Sequence, residues 1–142
     1  MDEFAVTFDP PIRAARKQHQ IKPNWTRIYA ASEAARLAPL DPVFRVAGRT
    51  FGYHPADASV VLGDLLGAAE IISGRIDATI SLSGYTVLLV EFREDRVFFR
   101  DPAGSYPNGG APVGGSFHAD EIELTLRRAA DAVWELIFPR GT

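Results

Sequence analysis

The sequence predicts an α+β domain in which an antiparallel β-sheet of about five to six strands packs against two main α-helices. Residues 56–73 and residues 119–138 each carry apolar side chains at three- and four-residue spacing, which is typical of amphipathic helices. Between them lie three short segments rich in β-branched and aromatic residues, separated by short polar turns. The length of 142 residues suits a single domain.

The N-terminal part of the chain has the least regular pattern. Apolar residues alternate from Phe4 to Phe8, which predicts a short strand that stops at Pro10-Pro11. Residues 12–22 are basic and show little apolar periodicity. Residues 24–30 could form a strand, residues 31–37 contain helix formers, and Asp41-Pro42 marks a turn. We therefore treat residues 1–42 as an N-terminal extension and expect residues 43–142 to form the core, in the order hairpin, helix, meander, helix.

The core begins with a predicted hairpin and a helix. Residues 43–46 and 50–53 read as short strands joined by a three-residue connection, Ala47-Gly48-Arg49. The helix follows over residues 56–73, with Asp57 in its first turn, where the helix dipole favours a negative charge. Gly74 stands where a left-handed cap residue is expected.

The second half of the core is a predicted three-stranded meander followed by a helix. Its strands are residues 76–82, 85–92 and 96–100, with short turns between them. Residues 101–115 contain several prolines and glycines and predict a long surface loop, which is often functional in a compact domain. The last helix covers residues 119–138, and its first turns are acidic.

Residue types exclude most kinds of catalytic or cofactor site. The chain has no cysteine, and His19, His54 and His118 lie far apart, so no transition-metal site and no cofactor is expected. Neither a GxGxxG nor a Walker sequence is present. Ser83 lies in a Ser-Gly turn without the GxSxG context of a hydrolase nucleophile. The sequence thus predicts a protein that is not an enzyme.

Carboxylates near the ends of the meander are the remaining candidates for chemistry. Glu91, Glu94, Asp95 and Asp101 fall within eleven residues, and two of them could act as acid and base. Arginines are interleaved with them at positions 93, 96 and 100. Solvated cross-strand ion pairs are therefore the favoured interpretation.

Binding to a partner is the alternative use of the same region. Tyr and Arg are favoured interface residues, and acidic groups speed association with a basic partner. The candidate partner-binding residues on and beside the long loop are Glu91, Glu94, Asp95, Arg100, Asp101, Tyr106 and Asn108. Tyr106 could equally pack the loop onto the sheet.

Charge is unevenly distributed along the chain. The net charge of −3 divides into +3 for residues 1–49 and −6 for residues 50–142. An acidic body disfavours nucleic-acid binding, because phosphate affinity depends on clustered Lys and Arg. It favours a basic protein partner, although acidic surfaces also simply keep proteins in solution.

The elements from Val43 onward begin with the hairpin at Ala47-Gly48-Arg49 and end with the helix that starts at His118-Ala119-Asp120. Their order resembles that of small bacterial immunity proteins. These proteins neutralise polymorphic or contact-dependent toxins. The resemblance covers about two-thirds of the chain, rests on pattern, and carries over no functional residue. It implies a non-enzymatic protein that binds a cognate toxin, and the acidic face would suit a basic, nuclease-like one.

Two other functions stay open. Phe44, Phe51, Phe92 and Phe98 could line a small-molecule pocket, although such residues are more often core, and the chain could be an accessory subunit of a larger assembly. The N-terminus lacks the apolar region of a secretory signal, and the longest apolar stretch, residues 58–73, is too short to span a bilayer. We therefore expect a cytoplasmic protein that does not bind membranes.

Overall fold

The computed structural model describes residues 3–8, 12, 38–52, 55–103 and 110–138. Within these ranges the chain forms nine strands and two helices. The strands are β1 (Phe4–Phe8), β2 (Pro39–Leu40), β3 (Pro42–Val46), β4 (Arg49–Gly52), β5 (Ala56–Asp57), β6 (Ala78–Leu82), β7 (Tyr85–Arg93), β8 (Arg96–Arg100) and β9 (Pro112–His118). The helices are α1 (Ala58–Ser73) and α2 (Ala119–Ile137).

The strands form three antiparallel sheets. One has the order β1-β3-β4, a small one pairs β2 with β5, and the largest has the order β6-β7-β8-β9. The predicted α+β class with an antiparallel sheet and two main helices is therefore confirmed. The described strands outnumber the expected five to six, because β9 and the two-residue strands carry no alternating pattern that could be recognised.

The hairpin between β3 and β4 has a tighter turn than expected. Val46 pairs with Arg49, so the connection contains two residues, Ala47 and Gly48, and not three. Both have positive φ, 51° and 81°. Positive φ at both positions defines a type I′ turn, which matches the twist of the paired strands.

Both ends of α1 differ from the prediction. The helix begins at Ala58, because Ala56 and Asp57 pair with β2 as a short strand. Gly74 has an ordinary φ of −79°, whereas Arg75 has a φ of 54°. The amides of Arg75 and Ile76 donate to the last-turn carbonyls, each at 3.2 Å. This is the Schellman arrangement, with the left-handed residue one position later than Gly74.

The last four residues of the predicted loop, 112–115, belong to a strand. β9 pairs with β8 along its whole length, with Val97 opposite Phe117 and Phe99 opposite Val113. The register shifts at Gly114 and Gly115, which form a bulge opposite the Phe98–Phe99 step. Because two glycines interrupt the apolar alternation of this segment, its strand pattern was missed.

A single hydrophobic core joins the sheets and the helices. Phe4 of β1 stacks on Phe99 of β8 at 5.3 Å between ring centres and on Phe44 of β3 at 5.9 Å. The apolar stripe of α2 is buried, including Leu126 and Val133. β1 therefore belongs to the core through its pairing with β3.

The two helices pack against each other, α1 against β6 and α2 against β1 and β9. They run antiparallel, as two ion pairs show. Arg75, just after the end of α1, pairs with Asp120 at the start of α2. Glu70 of α1, which precedes Arg75 in the chain, pairs with Arg127, which follows Asp120 in α2. No helix in the described ranges is long and apolar enough to cross a membrane.

Candidate binding site on the outer face of the sheet

The four-stranded sheet has one buried and one solvent-facing side, as β8 shows most clearly. Val97 and Phe99 are buried, whereas the alternate residues Arg96, Phe98 and Arg100 are only partly covered. Successive side chains of a strand point to opposite faces. The outer face is thus set by the alternation of β8 and by the residues that pair with it.

Strand register arranges the outer residues in three rows across β7, β8 and β9. The first row is Arg93, Arg96 and His118, the second is Glu91, Phe98 and Ser116, and the third is Leu89, Arg100 and Pro112. Residues directly opposite each other in antiparallel strands share one face. We call this surface the arginine face, defined by Glu91, Arg93, Arg96, Phe98 and Arg100.

Two arginines stand directly opposite each other in the first row. The guanidinium of Arg93 lies over the ring of Phe98, 5.3 Å from its centre. Arg96 turns the other way, and its Nε donates to Ser116 Oγ at 2.9 Å. Its Nη1 lies 2.9 Å from His118 Nε2. Since arginine only donates, Nε2 of His118 is the acceptor in this contact.

Arg100 is held at the other end of the face. Its Nε donates to Glu91 Oε1 at 3.1 Å, and its Nη1 donates to the Gly110 carbonyl at 3.2 Å. The expected cross-strand ion pair is therefore confirmed for Glu91 and Arg100. With three arginines and one glutamate, the arginine face has a net charge of +2, on a chain whose total is −3.

The predicted acidic cluster is not assembled. Glu94 and Asp95 form the turn between β7 and β8, where Asp95 lies 3.5 Å from Arg75 and its carbonyl accepts the Ala119 amide. Asp101 follows the far end of β8, about 17 Å away along five strand residues, and pairs with Arg49 at 2.6 Å. No two of these four carboxylates form an acid–base pair among the contacts of the described residues.

The sequence therefore pointed to this region but did not predict which residues share its surface. Glu91 and Arg100 lie on the arginine face, Glu94, Asp95 and Asp101 lie beyond its ends, and Tyr106 and Asn108 lie outside the described residues. From the sequence, Arg93 and Arg96 indicate only ion-pair partners, and His118 indicates the start of a helix and a histidine too far from the others to share a metal site. The alternation of arginines with Val97 and Phe99 was the available signal, but it needed β9 and the register to become a surface.

The arginine face is shallow. A cleft of about 80 Å³ lies among Glu91, Arg93, Phe98, Arg100 and the Gly114–Gly115 bulge. Small-molecule sites usually enclose about 300–1,000 Å³, so this cleft fits a protruding side chain better than a cofactor. Within the described ranges, no three His, Asp or Glu side chains come close enough to hold a metal ion.

A wider apolar groove of about 580 Å³ lies between β1 and α2. Phe4, Val6, Phe8, Thr125 and Arg128 contribute to its walls. The chain continues from this groove into residues that are not described, so we assign no ligand to it. The four aromatics suggested for a pocket lie elsewhere: Phe44 and Phe51 are core, Phe92 packs against it, and Phe98 is on the arginine face.

Comparisons of this chain with protein-family models, with curated proteins and with solved structures found no match. We therefore infer the function of the protein from the geometry of the molecule.

Proposed function

We propose that this protein is a non-enzymatic binding protein that uses the arginine face to bind an acidic surface on another protein. The observation that carries the proposal is the direct opposition of Arg93 and Arg96 across β7 and β8. Like charges directly opposite each other in a sheet are destabilising, which is a cost to the unbound protein. Carboxylates of a partner would neutralise both guanidinium groups and remove that cost.

The arginine face has the composition of an interface centre. Arginine and aromatic residues are enriched at such centres, and guanidinium groups bind carboxylates through two parallel hydrogen bonds. Arg96 and Arg100 are each held by bonds to neighbouring strands or to Gly110, so little side-chain freedom would be lost on binding. The small cleft beside Phe98 would receive one partner side chain.

The narrower proposal is an immunity protein that neutralises a cognate bacterial toxin by direct binding. Its support is the order of hairpin, helix, meander and helix, which resembles such proteins. The charge of the arginine face favours an acidic region of the toxin, whereas net charge alone had pointed to a basic, nuclease-like partner. A small-molecule site on the arginine face has less support, because the cleft there is too small for a typical ligand. An accessory subunit of a larger assembly is the other alternative.

The test is rescue of cells that express the product of a toxin-like reading frame adjacent to the gene. The native protein should restore growth and co-purify with that product. Arg93→Glu should weaken the complex at least about tenfold, because it places a carboxylate against an acidic partner. Binding should also weaken as salt rises, since exposed charges are screened.

Arg128→Glu is the matched control, because Arg128 is an exposed arginine on α2, away from the arginine face. It should leave rescue and affinity unchanged. Failure to rescue, with no complex, would reject the immunity function. A complex that is equally sensitive to both substitutions would reject the arginine face as its site.

A further inference from the structure

The solvent side of the contact between α1 and α2 forms a second surface with different chemistry. Arg127 lies on the flank of α2 that faces α1, because it pairs with Glu70 at 3.2 Å. At 100° per residue, Trp134 falls on the same flank two turns later, and Gly63 and Leu66 fall on the Glu70 flank of α1. We call Gly63, Leu66, Trp134 and Phe138 the helix seam.

The helix seam is apolar and open to solvent. Leu66 is 40% exposed, Trp134 51% and Phe138 47%. The rings of Trp134 and Phe138 contact each other at a tilt of 43°, with their centres 4.5 Å apart. An alanine side chain at Gly63 would meet no atom within 4 Å, so the surface of α1 is open at this position, which lies level with the aromatic pair. Exposed aromatic side chains grouped in this way mark interaction sites on monomeric proteins.

The charges around the seam select the kind of partner. α1 and α2 together contain seven carboxylates and two arginines, a net charge of −5. Asp131 and Glu135 stand on the exposed side of α2 beside the aromatic pair. A second copy of this chain would bring the same negative charge to the contact. A basic partner would instead be attracted to it.

We infer that the helix seam is a docking site for a basic amphipathic helix of another protein. The apolar face of that helix would cover Trp134, Phe138 and Leu66 and would pass over Gly63, where α1 has no side chain to hinder its approach. Its Lys or Arg residues would lie beside Asp131 and Glu135. Two antiparallel helices present a groove that suits a third helix, which is a common mode of helix recognition.

The test uses synthetic helical peptides of about 18 residues, five turns long, with Leu at i, i+3, i+4 and i+7. One peptide carries Lys at all other positions and the other carries Glu. The Lys peptide should bind the full chain, and the Glu peptide should not. The double variant Trp134→Ala, Phe138→Ala should lower the affinity for the Lys peptide at least about tenfold, as measured by anisotropy of the labelled peptide.

Leu124→Ala is the matched control, because Leu124 is 50% exposed on the same helix but lies about 80° from Trp134 around its axis. It should change the affinity less than about twofold, and so should Arg93→Ala, which tests the arginine face. Circular dichroism would show that each variant is folded. Equal binding of both peptides, or no effect of the double variant, would overturn the inference. So would a dimer in sedimentation that the double variant dissociates, since a second copy would then occupy the seam.

Discussion

At Arg75 a long charged side chain occupies a backbone conformation that usually requires glycine. Its φ of 54° costs roughly 1–2 kcal/mol for a residue with a Cβ atom. Its guanidinium compensates by donating to the Ile72 carbonyl at 2.8 Å and to Asp120 at 3.0 Å. The side chain thereby joins the end of α1 to the start of α2, which explains why Gly74 is not the left-handed residue.

Arg127 is a second residue whose charge is fixed by its neighbours. Hydrogen bonds from its guanidinium to Glu123 and Glu70 raise the pKa of Arg127 above its usual value. A raised pKa means that the contribution of the arginine charge to stability is fully present below the ordinary arginine pKa and is lost only as the pH rises through the raised value. The pair with Glu70 therefore persists across the whole physiological pH range.

Gly110 is the residue at which we expect the largest effect of adding one methyl group. It is buried with a φ of 128°, and a Cβ atom there would overlap the Asp101 carbonyl oxygen. Gly110→Ala should lower the free energy of unfolding by about 2 kcal/mol or more. Chemical denaturation would measure it, with Gly84→Ala as control. Gly84 also has positive φ but open space around it, so equal losses would contradict the role of the close contact.

Elements with a strong local sequence pattern are predicted more closely than elements without one. The buried residues of α2 follow its 3.6-residue period, and its acidic first turn lies where the dipole favours it. β9 has no such pattern, and Val113 and Phe117 become core residues only because β8 pairs with them. Helices were therefore predictable within a residue or two, whereas this edge strand was not.

Gly63 gives a test at the level of a helix. A glycine inside a helix costs about 0.5–1 kcal/mol relative to alanine, and at Gly63 a Cβ atom meets nothing. Gly63→Ala should therefore stabilise the free protein by about that amount, measured as an increased denaturation midpoint. A destabilised variant would show that α1 is closely covered at this position.

At the scale of the whole molecule, alternate residues of β8 lie in the hydrophobic core and on the arginine face. Phe99 is 1% exposed and connects β8 to Phe4 and Phe117, so Phe99→Ala should cost about 3–5 kcal/mol of stability. Phe98 lies on the arginine face, so Phe98→Ala should cost about 1 kcal/mol or less. Thermal unfolding of both variants would compare them. Similar losses would contradict the assignment of inner and outer faces.

Charge is also organised at this scale. The two helices carry −5 while the arginine face carries +2, so the protein presents surfaces of opposite sign to its surroundings. The net charge of −3 conceals this division. A chain total therefore indicated one acidic surface, whereas the folded molecule has two surfaces of opposite charge, for which we propose partners of opposite kind.

The sequence by itself determined both helices, the meander and the α+β class, because helix and strand periods are local and survive in the order of residues. It also indicated the region around residues 91–101. Only the tertiary structure decided that Arg93, Arg96 and His118 share a row, and that Asp101 lies far from Glu94 and Asp95. Strand register depends on pairing between distant segments, and shifting it by one residue exchanges the faces. The composition of a sheet surface therefore becomes visible only once the strands are paired.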